Sequence, residues 1–285
     1  MITLKNKYLT VKIDPRGAQI ASITENGQEK MWQADADVWG SHGPLLFPVC
    51  GSMKDDKYIL DGETYSMPKH GFAKDSKFTI ELIDRSTVTL LLKSNETTHQ
   101  WYPFDFELRA EYTLLRKSLT VKYSVKNVGD NTMYFGIGSH EAYACQGGIE
   151  NYDLLFPKTE TLTHTVLDGP YLTRETVPIV KSSRTLPLSY KLCENDSYVI
   201  RDMRSRSLIL RNRVSGERIK VNFPSSDYFV IWTKPNAEYI CLEPWTTLPD
   251  YTDTDGDITK KEGIIALKKR RTYRKMHKIT VLPQY

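Results

Sequence analysis

Phe106-Glu107-Leu108-Arg109-Ala110-Glu111-Tyr112, followed by Leu119-Thr120-Val121-Lys122-Tyr123-Ser124-Val125, alternates apolar and polar side chains at every step. A two-residue period puts successive side chains on opposite faces of an extended backbone, so each run predicts a half-buried strand and the pair predicts a hairpin. The pattern extends both ways along the chain. Upstream, residues 8–14 and 18–23 flank the turn Pro15-Arg16-Gly17, and residues 78–82 precede 88–92. Downstream, residues 207–211, 218–223, 228–232 and 239–242 follow at spacings of about ten residues, as strands of sandwiches and barrels do. No amphipathic run is long enough for a helix. Strands this dense across the 285 residues predict one all-β domain spanning 1–285, a sandwich of large antiparallel sheets. A single open sheet of that many strands would twist away from any common core.

The chain has 39 Lys+Arg against 35 Asp+Glu, a formal excess of +4, and is 40% hydrophobic. That balance excludes disordered, collagen-like and coiled-coil classes. The first residues carry no apolar signal region, and no later segment approaches a membrane-spanning run. A soluble, cytoplasmic protein with no membrane partner is expected. Cys50, Cys145, Cys193 and Cys241 form no C-x-x-C pair, so they are expected to be reduced core residues, and no metal site follows from them. The glycosylation sequons at Asn95 and Asn195 read as chance matches without an export signal.

Several motifs fail on inspection. His140-Glu141-Ala142-Tyr143-Ala144 begins like a zinc-protease helix but has alanine in place of the second histidine. Gly136-Ile137-Gly138 lacks the third glycine of a dinucleotide loop, which position 141 fills with glutamate, and no phosphate-loop or serine-hydrolase string occurs. Residues 251–262 match a calcium loop at the third, fifth, sixth and twelfth positions, yet the first ligand is tyrosine and the flanks read as turn and strand. An acidic surface loop is the better reading. Lys268-Lys269-Arg270-Arg271, with Arg274, Lys275 and Lys278 beyond, reads as a solvated hairpin tip rather than a nucleic-acid surface, because only Tyr273 interleaves with it.

Three short segments break the strand pattern with residues suited to proton transfer. Pro68-Lys69-His70-Gly71 sets a histidine in a bend, and Gly136-Ile137-Gly138-Ser139-His140 brings a second from a strand end. Cys241-Leu242-Glu243-Pro244-Trp245 ends an apolar strand in a carboxylate beside tryptophan, where desolvation would raise its pKa toward that of a general base. Each alone is ordinary for a surface or core residue. Together, Glu243, His140 and His70 form a candidate acid–base set, with Tyr102, Phe72, Trp232 and Trp245 as possible apolar faces for a sugar ring.

At these residues the chain resembles the aldose 1-epimerases, or galactose mutarotase-like proteins, and within them the bacterial branch that contains the lactose-operon X protein. The resemblance rests on six strings in the family's order: residues 43–51, Lys69-His70-Gly71-Phe72-Ala73, Ile137-Gly138-Ser139-His140, Asp196-Ser197-Tyr198-Val199-Ile200, Trp232-Thr233-Lys234-Pro235 and Cys241-Leu242-Glu243-Pro244-Trp245. It implies a β-supersandwich and a cofactor-free, metal-free interconversion of hexopyranose anomers, with a small sugar as partner and the chain as monomer or homodimer. Glu243 matches the family's base, His140 its acid, His70 a second donor and Asp196 a sugar-hydroxyl acceptor. Two departures stand out. Ser52 occupies a position where many members carry arginine, and Lys74 another; neither replaces a forked guanidinium, although His42, Lys54 or Lys74 could supply a donor. The competing readings are a sugar-binding module without turnover, a hexose-6-phosphate mutarotase with extra cations at the cleft rim, and a glycoside hydrolase using Glu243 and Asp196.

Overall fold

The opening hairpin forms as the alternation requires. In the computed structural model Phe106–Leu115 pairs antiparallel with Ser118–Asn127, and Leu108, Ala110, Tyr112 and Leu114 face Val125, Tyr123, Val121 and Leu119 across the ladder. All eight side chains are buried in the main core. The structure describes residues 1–194 and 196–284, without the side chain of Cys193. The expectation for Cys193 and the sequon at Asn195 lie outside the described residues.

This hairpin belongs to a continuous ladder of thirteen strands among the described residues. From one edge the order is Ala142–Ala144, Tyr239–Trp245, Tyr228–Trp232, Ser197–Ile200, Tyr152–Asp168, Ser207–Asn212, Arg218–Asn222, Thr272–Leu282, Ser118–Asn127, Phe106–Leu115, Thr87–Lys93 and Thr79–Ile83; Tyr171–Pro187 branches off Tyr152–Asp168. Every pairing in it is antiparallel. Four short strands at the N-terminus, Ile2–Lys5, Thr10–Asp14, Gln19–Glu25 and Gln28–Glu29, form a second sheet.

One contact shows how the ladder is shaped. Glu141 immediately precedes the edge strand, seven strands from Thr272–Leu282, a separation of about 34 Å in a flat sheet. Yet its Oε1 lies 2.7 Å from His277 Nε2 on that strand. The ladder therefore folds over on itself, and its two halves share the core, as the sandwich expectation requires.

Helix is almost absent. The six residues Glu96–Trp101 make a short α-helix capped by Asn95, whose Oδ1 accepts from Thr98 N–H at 3.0 Å. Among the described residues, no helix is long and apolar enough to cross a membrane. Cys50, Cys145 and Cys241 are free, buried thiols, as expected.

Two expectations need correction. Tyr102 and Phe72 sit in the apolar core rather than on a cleft, because Phe47 and Phe106 pack against both. Lys275 is not part of the solvated tip. Residues 268–271 are exposed, but on the strand beyond them the two-residue period sends Arg274 and Met276 outward and Lys275 and His277 inward. The Lys275 ammonium donates to Ser226 Oγ at 2.7 Å, and burial pushes its pKa down to about 7.

The unfolded chain holds this proton up to about pH 10.5, whereas the folded chain releases it near 7, so the penalty is complete below pH 7 and fades as pH rises through 10.5. Lys275→Met, similar in size, is expected to stabilise the protein by on the order of 3 kcal/mol at pH 6, after the lost Ser226 bond is offset. Urea midpoints should show that gain shrinking toward zero by pH 10.5; a gain independent of pH would contradict the assignment.

Candidate active site

The three chemistry-bearing segments converge on one cleft of about 430 Å³, within the range of small-ligand sites. Glu243, His140 and His70 line it, together with Asp196, Ser52, Lys74, Trp232 and Trp245. Glu243 lies inside the edge region of the large sheet, on Tyr239–Trp245, and its side chain is 1% exposed. Burial comes first among the causes that hold its carboxyl well above the usual range, followed by the charge of Glu141. His140 sits on the segment leading into Ala142–Ala144, with Nδ1 3.4 Å from Glu243 Oε2. Burial lowers its pKa to about 4.

The glycines near His140 serve close approach. A Cβ on Gly138 would lie 2.6 Å from Trp245 Cδ1 and 2.9 Å from Cys50 Sγ, and one on Gly43 would lie 2.1 Å from the His140 carbonyl oxygen. The backbone around His140 is thus wedged between neighbouring segments, which fixes where its imidazole emerges. Trp245 adds to this by donating its indole N–H to the Ser139 carbonyl at 3.2 Å.

His70 adopts a left-handed backbone, φ +67°, which a bulky residue rarely does. Gly51 holds it there from both sides: His70 N–H donates to the Gly51 carbonyl at 2.8 Å, and Gly51 N–H donates to His70 Nδ1 at 3.0 Å. Burial first, and the neighbouring His140 second, keep the ring well below its ordinary pKa. A neutral ring whose Nδ1 accepts must carry its proton on Nε2, so His70 is a hydrogen-bond donor. Its ring meets those of His140 and Trp245 edge-on, with centroids 5.4 and 5.6 Å away.

At the rim, Trp232 donates its indole N–H to Asp196 Oδ1 at 3.2 Å. Ser52 is buried in the wall and offers only a hydroxyl. The candidate substitutes for an arginine are otherwise occupied. His42 Nδ1 contacts the Trp32 carbonyl at 2.9 Å, Lys54 donates to the Thr252 carbonyl at 2.7 Å, and Lys74 pairs with Asp75 on the rim.

Among the lining residues to which the sequence reading gave no role are Trp39, Lys69 and Lys234. Trp39 packs 5.1 Å from the His140 ring and 5.1 Å from Trp232, closing one side of the cleft. Its only sequence signal is a single large aromatic in the strandless run 33–40. Lys69 is the positive charge felt by Glu243, His140 and His70 alike.

Donor atoms of His140, Cys241 and Glu243 lie within 4.8 Å of one another. Burial raises the pKa of the Cys241 thiol and the Glu243 carboxyl, so a divalent cation would have to displace a proton from each to bind there. The loop at 251–262 is likewise committed elsewhere: Asp253 pairs with Arg174, Asp255 and Asp257 with Lys260, and Glu262 with Arg201.

An antiparallel supersandwich with a carboxyl–imidazole pair on the floor of a tryptophan-walled cleft defines a class of protein, the carbohydrate epimerases of galactose mutarotase fold. A family profile, Aldose 1-epimerase, matches residues 1–274. The chain belongs to that family. It is 32% identical over 296 residues to the plasmid-encoded protein LacX of Lactococcus lactis subsp. lactis, covering 99% of both chains. Among solved structures it superposes on a galactose mutarotase related enzyme of Lactobacillus acidophilus with TM-score 0.94 and 30% identity, covering 99% of this chain and 97% of that one. A galactose mutarotase-like protein of Lactobacillus casei gives 0.93 and 27%, covering 99% and 100%. Family and fold together support a mutarotase-type function.

Proposed function

We propose that the protein is an aldose 1-epimerase acting on a free hexopyranose, with Glu243 as base and His140 as acid. The supporting observation is the meeting of these two groups, 3.4 Å apart in the cleft that also holds His70, Asp196, Ser52, Lys74, Trp232 and Trp245. Glu243 takes the proton of the anomeric hydroxyl, the C1–O1 electrons form a carbonyl, the bond from C1 to the ring oxygen breaks, and that oxygen takes the proton of His140. Rotation about C1–C2 turns the other carbonyl face to the ring oxygen. Closure with the roles reversed gives the opposite anomer and restores both groups.

The shifted pKa values suit this cycle. Burial destabilises both the carboxylate and the imidazolium, which makes the first a stronger base and the second a stronger acid. The neutral pair that burial favours is also the state reached while the ring is open. In the empty site, where the neutral pair is favoured, the proton crosses the gap from Glu243 to His140 before the ring opens. His70 donates from Nε2 to the ring oxygen or a neighbouring hydroxyl, and Trp232 and Trp245 flank the ring.

Polarimetry on freshly dissolved α-glucose and α-galactose tests the reading. Relaxation to the equilibrium rotation is expected to accelerate in proportion to protein concentration. Relaxation at the buffer rate, with sugar binding seen by calorimetry, would instead establish a binding module, and acceleration confined to 6-phosphorylated sugars would relocate the substrate. Asp196→Asn separates binding from turnover. Asparagine tolerates the φ of +63° at this position, so the fold should hold. Weakening one charged hydrogen bond to a sugar hydroxyl should raise KM about tenfold and leave kcat nearly unchanged. An equal fall in kcat would place Asp196 in the chemical step.

A further inference from the structure

We propose that Glu141, held ionised by its buried partner His277, is a fixed negative charge behind the reacting groups and a positioning residue that keeps one proton on Glu243–His140 through neutral pH. The inference rests on the mutarotase reading for its purpose, but the arrangement is visible without it.

Glu141 and His277 are 3% and 0% exposed, in the seam where the two halves of the folded sheet meet. A buried ion pair commonly contributes less stability than well-packed apolar residues of the same volume. This one is also incompletely satisfied: among the described residues His277 Nδ1 has no hydrogen-bond partner, and the Ser139 hydroxyl beside Glu141 favours its charged form without closing a bond of normal geometry. A feature that stability does not explain, adjoining a reacting residue in the chain, invites a catalytic account.

Position supplies it. Glu141 follows His140 directly, and its carbonyl accepts from Leu242 N–H at 3.2 Å, so its backbone is tied to the residue preceding Glu243. Burial works to protonate Glu141, but His277 outweighs it and holds the carboxyl below its ordinary range. The resulting negative charge is fixed close to both reacting groups. Such a charge raises the proton affinity of each, and it appears among the influences that raise Glu243 and His140. Around Glu141 the other titratable groups are Tyr112, Tyr123, Tyr143, Cys241 and Lys275. The three tyrosines and the cysteine are held protonated by burial and carry no charge, and Lys275 loses its charge at about pH 7. Around Glu243 stand His140, Cys241, Lys69 and Asp196; Lys69 opposes Glu141 by lowering the carboxyl, while the more exposed Asp196 supports it. Among these, Glu141 is the charge that is both buried and permanent, hence least screened.

The test uses the whole chain, and its first measurement needs no sugar. Carboxyl carbon and imidazole nitrogen signals of Glu243 and His140, assigned by their loss in Glu243→Gln and His140→Asn, are titrated with and without Glu141→Gln. The proposal predicts that the Glu243 midpoint falls by about one pH unit, the scale expected of a charge several ångströms away in a medium of intermediate dielectric. The alkaline limb of the mutarotation profile should fall by the same amount, with KM nearly unchanged. Should Glu141→Gln fail to fold, His277→Gln carries the same expectation, because a buried Glu141 without its partner takes up a proton and loses its charge. A midpoint that stays within about 0.3 unit in whichever variant folds, with only stability reduced, would overturn the proposal. A wild-type protein without turnover but with the shifted midpoint would count against the mutarotase reading and for the electrostatic link.

Discussion

Glu243→Gln is expected to slow anomer interconversion by 10²–10⁴-fold at neutral pH while leaving the fold intact, the usual contribution of a positioned general base. Glutamine keeps the shape and one acceptor oxygen but cannot take up the anomeric proton. Structural damage should be slight, because the carboxyl is held well above its ordinary pKa, so the wild-type interior already accommodates a neutral side chain at this place. The loss should appear in kcat and kcat/KM alike, since the proton is transferred only in the transition state. Polarimetry paired with a urea titration checks both halves. Wild-type turnover in a folded Glu243→Gln protein would remove Glu243 from the mechanism.

His140→Asn is the second large effect, again 10²–10⁴-fold in kcat. Asparagine can still hydrogen-bond the ring oxygen but has no proton to give, so C1–O5 cleavage would have to draw its proton from water or from His70. His70 is a poor substitute: its Nδ1 is tied to Gly51 N–H, and it resists protonation even more strongly than an ordinary histidine. The double variant Glu243→Gln/His140→Asn should therefore be hardly slower than either single one, because one proton serves both groups in turn. Multiplicative losses would mean that the two act independently, and residual activity resting on His70 would show as a rate that falls with rising pH.

Much of the fold was legible because alternation is a local signal. Leu108, Ala110, Tyr112 and Leu114 are inward-facing whatever they pair with, and their burial follows from the period alone. The arm Tyr152–Asp168 with Tyr171–Pro187 was not legible. Its second strand contains Pro178 and Pro187, its solvent-facing run offers no alternation, and its register slips at several points, all tolerable for a strand that hangs off the side of the ladder. Lys275 shows alternation outweighing composition: a basic cluster suggested solvent, yet the period that buries Ile279 and Val281 also buries Lys275.

The site divides in the same way. His70, His140 and Glu243 announced themselves because a glycine or proline lies within two residues of each. Trp39 and Lys69 did not, since only the folding of distant segments over the cleft gives them meaning. Glu141 was noticed as the glutamate of an incomplete zinc motif and as the residue that fills the third glycine position of a dinucleotide loop. Its partner lies 136 residues further on, and no pattern in the chain connects the two.

The most direct test is a crystal structure with galactose or glucose bound. The account predicts the pyranose between Trp232 and Trp245, the anomeric oxygen within about 3.2 Å of a Glu243 oxygen and the ring oxygen within reach of His140. A sugar seated with C1 turned to the rim, more than about 5 Å from Glu243, would contradict it.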